Sequence, residues 1–115
     1  MVISKKGNRE MIKIKEHVSF VGFYNHKGDI LIDKDVKDEW RRFLIYHERV
    51  EYRLVSKGIH YKEAHEIATK KEISLFKRTF GSDWKRMWDQ YSAHIDWVFA
   101  KEHKQVKQNK ITRSS

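Results

Sequence analysis

Residues 36–56 read VKDEWRRFLIYHERVEYRLVS, and the spacing of their apolar side chains decides the first helix of the chain. Val36, Trp40, Phe43, Val50 and Leu54 step by three or four, the period of one helix face. The member missing from that stripe is His47, so the pattern predicts an imidazole pointing into the domain. Glu51 lies one turn further on and shares nearly the same face, while Glu48 follows His47 directly. Asp33 or Asp35 offers an N-cap oxygen, Asp38 and Glu39 place negative charge in the first turn, and Gly58 supplies a stop.

Downstream, the spacing predicts a second helix over 61–79, stopped by Gly81, with Tyr61, Ala64, Ala68, Leu75 and Phe76 on its inward side. His65 and Glu72 fall on that side too. Small Ala64 and Ala68 let two helices approach closely, so the pattern places a His and a Glu on the facing sides of two adjacent helices. Ser82 is the expected cap of a third helix over 83–102, striped by Trp84, Met87, Trp88, Tyr91, Ile95 and Val98. Trp97 is expected in the core with Trp84 and Trp88.

Upstream, the chain reads as β. Val18, Phe20, Gly22 and Tyr24 alternate with Ser19, Val21 and Phe23; residues 29–33 follow a loop at 25–28 that holds the Asn and Gly a hairpin turn favours. Residues 11–15 add a third strand. The expected fold is α+β: a short N-terminal antiparallel hairpin or sheet, then three helices, as one domain over 1–102.

Composition excludes several functions. The 115 residues contain no Cys, so there is no disulfide, no thiolate nucleophile and no Cys-ligated metal. No uncharged run is long enough to cross a bilayer and the first residues lack a signal-peptide core, so a soluble cytoplasmic protein is expected. The formal charge of +9 is concentrated at the ends. Residues 1–15 carry five basic side chains against Glu10, and residues 101–115 carry Lys101, Lys104, Lys107, Lys110 and Arg113 against Glu102. The part between is nearly neutral, so 1–10 reads as a flexible basic arm and 103–115 as a flexible basic tail.

Burying His47, Glu51, His65 and Glu72 unpaired would cost several kcal/mol for each ionised group. A divalent metal compensates. Neutral imidazoles with carboxylates suit zinc first, and also non-haem iron or manganese. Glu48 stands where the general base stands in an HExxH metallopeptidase helix.

The segment 44–72 resembles small phage and archaeal zincin-like proteins, which carry an HExxE helix followed by an AHxxA segment and a Glu. The matching residues are His47, Glu48 and Glu51, then Gly58, Tyr61, Ala64, His65, Ala68 and Glu72. The resemblance implies His47 and Glu51 as metal ligands, His65 or Glu72 as a further ligand, Glu48 as general base and hydrolysis as the activity. It differs from the standard peptidase helix in having Glu51 where a second His stands.

Two other readings stand beside this one. The His and Glu side chains can form a closed hydrogen-bonded network without metal. The basic ends can contact nucleic acid or another acidic partner: Lys101, Lys104, Lys107, Lys110 and Arg113 recur every three residues, a stripe able to follow phosphates. That alternative describes an archaeal or viral DNA-binding accessory protein without catalysis. A helix-turn-helix at 61–78 is disfavoured, because Glu72 occupies the place of the turn glycine and a continuous helix is expected. His94 is expected to bond locally, and His17, His26 and His60 to be ordinary strand or loop residues.

Overall fold

The computed structural model describes residues 12–15 and 21–114. Three short strands, β1 (Ile12–Lys15), β2 (Gly22–Tyr24) and β3 (Ile30–Asp33), precede three helices, α1 (Asp38–Ser56), α2 (Tyr61–Phe80) and α3 (Trp84–Ser114). The architecture is α+β, as expected. The proposed arm at 1–10, together with His17, Val18 and Phe20, lies outside the described residues.

The hairpin forms where the Asn and Gly predicted it. Asn25 Oδ1 accepts the backbone N–H of Lys27 at 2.9 Å and of Asp29 at 3.0 Å, closing the turn. Gly28 has φ of +90°, and a Cβ there would lie 2.9 Å from the Tyr52 ring, so both conformation and space require glycine. The sheet is mixed rather than wholly antiparallel: its order is β1-β3-β2, with β1 parallel and β2 antiparallel to β3. Burial explains the arrangement. Ile30 and Ile32 are fully buried, whereas Ile12 and Ile14 are exposed, so the more deeply buried β3 takes the centre and β1 an edge.

Helix α1 starts two residues later than expected. Its N-cap is Lys37, without a side-chain cap, because Asp33 Oδ1 is already engaged by the N–H of Asp35 at 2.9 Å. The backbone N–H of Lys37 donates instead to His94 Nε2 at 3.0 Å, so His94 bonds across the fold, not locally. At the other end Gly58 acts as predicted. Its N–H reaches the Val55 carbonyl at 2.9 Å and the Ile59 N–H reaches Leu54 at 3.0 Å, the paired closure of a Schellman motif.

Helix α2 is continuous through Glu72, which removes the helix-turn-helix reading. Its cap is His60, whose Nδ1 accepts the Lys62 N–H at 3.1 Å. Ser82 does not cap α3 but lies inside a 3-10 turn, Gly81–Asp83, and α3 begins at Trp84. The helix is assigned as far as Ser114, past the expected end at Glu102.

Ala64 and Ala68, both fully buried, let α2 lie close against α1. Beneath them the rings of Phe43 and Phe76 stack with centroids 4.0 Å apart, flanked by Trp40, Trp88 and Tyr91. Each such ring, fully buried, stabilises the fold by about 1.5–3 kcal/mol. Trp97 is not part of this core. It is exposed, stacked on His94 and covered by the Lys101 ammonium at 4.8 Å from its centroid. Among the described residues no helix is long and apolar enough to cross a membrane.

Candidate metal centre

The buried side of α1 is wider than its apolar stripe, because Leu44, Glu48 and Glu51 are buried beside Trp40, Phe43 and His47. Three polar side chains therefore face α2 from one helix. Val50 and Leu54 are only half-buried. On α2 the inward side is Ala64, Ala68, Glu72 and Phe76, while Tyr61 and His65 stand at its open edge.

His47, Glu51 and His65 converge, each offering a ligand atom within 4.8 Å of the others, so the three could hold a metal ion. His47 Nε2 lies 3.3 Å from His65 Nδ1 and 3.9 Å from Glu51 Oε1, and His65 Nδ1 lies 3.3 Å from Glu51 Oε2. Two donors each about 2.05 Å from a tetrahedral ion are themselves about 3.3 Å apart. The spacing fits. Glu51 Oε2 is moreover buried without a hydrogen-bond partner, an arrangement that a cation relieves.

Glu72 is brought to His47 but stands outside that three-donor group. Its Oε1 is 2.9 Å from His47 Nδ1, and the Tyr91 hydroxyl donates to its Oε2. A carboxylate only accepts, so Nδ1 carries a proton, and in the neutral ring that a metal requires the lone pair of Nε2 points at Glu51 and His65. This is the carboxylate–His pairing that orients metal-ligating imidazoles. Burial lowers the His47 pKa, but the hydrogen bond and charge of Glu72, with Glu48 and Glu51, outweigh it and the net direction is upward. Burial, then the charge of Glu72, lifts the Tyr91 phenol well above its ordinary value, so it stays protonated as a donor.

Glu48 is buried beside these groups, and burial, partly offset by His47, pushes its carboxyl up to about 7. It lines two cavities that meet at the site. One, of about 270 Å³, lies among the three helices and is walled by Leu44, Trp88, Tyr91 and Ile95. The other, of about 440 Å³, lies between β2, the start of α2 and Phe99. Glu48 and His65 belong to both. Burial, then the charges of Glu51 and Glu48, raises the Tyr24 phenol to about 12 and lifts Tyr61 in the same direction.

Sequence reasoning placed Tyr91 only in the core stripe. A buried tyrosine needs an acceptor, and that signal points toward Glu72. Nothing in the spacing marked Tyr24 or Tyr61 as neighbours of the carboxylates. Of the basic residues, Lys101 pairs with Asp35 at 2.9 Å. Lys104, Lys107, Lys110 and Arg113 lie on the last turns of α3, with side chains outside the described set. No family model, no curated protein and no solved structure matches this chain.

Proposed function

We propose that the protein is a zincin-like metal-dependent hydrolase, holding a divalent cation, zinc first, through His47, Glu51 and His65. The observation that carries this reading is the buried Oε2 of Glu51, which has no hydrogen bond and lies 3.3 Å from His65 Nδ1, itself 3.3 Å from His47 Nε2. Two His, one carboxylate and an open side is the donor set of catalytic zinc sites; structural sites close with four protein ligands. The cation supplies Lewis acidity that polarises a carbonyl and makes water reactive near neutral pH. Glu48 accepts the proton of the attacking water and returns it to the leaving group, a task suited to a carboxyl pushed up to about 7. Glu72 and Tyr91 hold the His47 ring in one tautomer throughout.

The test is elemental mass spectrometry on protein purified without chelator, followed by turnover on peptide and ester libraries. Wild type carries about one equivalent of metal, and Glu48→Gln keeps the metal but loses turnover about a hundredfold or more. Metal below about a tenth of an equivalent, with no thermal stabilisation by added zinc, would sink the metal reading. Unchanged turnover in Glu48→Gln removes Glu48 from the mechanism.

A further inference from the structure

The larger cavity is built differently from the smaller one. Tyr24 and three of the six exposed large hydrophobic side chains among the described residues, Phe23, Tyr61 and Phe99, line it. Tyr24 is held in place: its ring stacks on Phe23 at 5.5 Å and meets Tyr52 edge-on at 5.6 Å, and Tyr52 in turn packs over Gly28. The floor includes the bare backbone of Gly22, where a Cβ would lie 2.9 Å from Leu44. At the inner end stand Glu48, Glu51 and His65. No Lys or Arg is among the described lining residues, and the only formal charges there besides His65 are carboxylates.

A cavity of about 440 Å³ lies in the range of small-ligand sites, which are mostly apolar with a few convergent polar groups. Aromatic walls favour a ring or a large aliphatic group, and a described lining without Lys or Arg gives an anionic one no cationic side chain to pair with in exchange for its lost hydration.

We propose that this cleft is the specificity pocket of the site, taking an uncharged aromatic or large aliphatic group of the substrate and excluding carboxylate- or phosphate-bearing groups. The proposal rests on the hydrolase reading for its link to the metal donors, but the pocket itself can be tested without metal. By the same charge logic the phosphodiester backbone of a nucleic acid is a poor occupant of this cleft.

Two arms test it. In the first, zinc-loaded protein is titrated calorimetrically with acetohydroxamate, phenylacetohydroxamate and the hydroxamate half-amide of succinate. The phenyl compound binds about tenfold tighter than acetohydroxamate, the order expected from burying most of one ring. The succinate compound binds more weakly than either. Tyr61→Ala and Phe99→Ala, at exposed positions, reduce the phenyl-to-methyl ratio to about twofold or less. In the second arm, metal-free protein is titrated with 4-fluorobenzyl alcohol and followed by fluorine NMR. Saturable shifts appear in wild type and are lost in Phe99→Ala.

A phenyl-to-methyl ratio near one on zinc-loaded protein overturns the proposal. If the protein takes up no zinc and binds no hydroxamate, the metal reading fails. The pocket then stands or falls on whether 4-fluorobenzyl alcohol saturates. A concentration-dependent dimer abolished by Phe99→Ala assigns the aromatic patch to a second copy of the chain and overturns it as well.

Discussion

Glu72 grips the His47 ring from behind, its Oε1 2.9 Å from Nδ1, while Nε2 faces Glu51 and His65 on the other side. The carboxylate is itself fixed by the Tyr91 hydroxyl, so a chain of contacts runs from α3 through α2 to the candidate ligand on α1. Removing the charge without changing the shape isolates this effect. Glu72→Gln lowers zinc affinity by about ten- to a hundredfold, measured by competition with a chromophoric chelator. An unchanged affinity would show that Glu72 does not tune the imidazole.

Glu51 separates a ligand from a structural residue. Its buried Oε2 has no hydrogen bond and only the half-exposed His65 as an ion-pair neighbour, so metal-free Glu51→Gln is at least as stable as metal-free wild type. The same variant loses the stabilisation by zinc, which for wild type at about 100 times the Kd amounts to about 2.7 kcal/mol. Thermal melts with and without zinc measure both. A large loss of stability in the metal-free variant would assign Glu51 to a hydrogen-bonded network instead.

The raised carboxyl of Glu48 gives the metal-free protein a pH signature. A carboxyl at about 7 in the fold and 4.5 when unfolded binds its proton more tightly in the fold. Its contribution to stability is therefore complete below pH 4.5 and is lost as pH rises toward 7. Over that range wild type loses on the order of 3 kcal/mol relative to Glu48→Gln. Urea denaturation of both proteins after chelator treatment, at pH 4.5 and 7.5, reads the difference. Parallel pH profiles would contradict it.

His94 behaves in the opposite sense. Its Nε2 accepts the Lys37 N–H and must be neutral to do so; burial, then the Lys37 charge, lowers its pKa below 6.5 despite the nearby Asp35 and Glu39. The unfolded chain then binds the extra proton more readily. The contribution is full above pH 6.5 and fades as pH falls toward the folded value. His94→Ala costs about 1 kcal/mol at pH 7.5. The gap to wild type narrows at pH 5, as monitored by denaturant midpoints; a constant gap would remove the proton linkage.

Much of this architecture can be read from periodicity. The stripe on α1 with His47 in its gap, the stops at Gly58 and Gly81 and the 25–28 turn are local features, set by side-chain spacing or glycine conformation. The features that could not be read are contacts between distant segments. His94 displaces Asp33 and Asp35 as the partner at the head of α1, and β1 pairs with β3 rather than with β2, its neighbour in sequence. The candidate site divides in the same way. His47 and Glu51, one turn apart, follow from helix geometry alone, whereas the place of Glu72 outside the three-donor group goes with its hydrogen bond from Tyr91 on α3, a contact between distant segments.

The three donors differ in their access to water. The side chains of His47 and Glu51 are 7% and 4% exposed, whereas that of His65 is 52% exposed. An ion can therefore reach and leave the cluster by displacement of one outer imidazole, with the packed aromatic centre of the domain undisturbed. For an ion held there, exchange is expected to be fast relative to unfolding, with occupancy set by the free-ion concentration around the protein rather than by the conditions under which the chain folded.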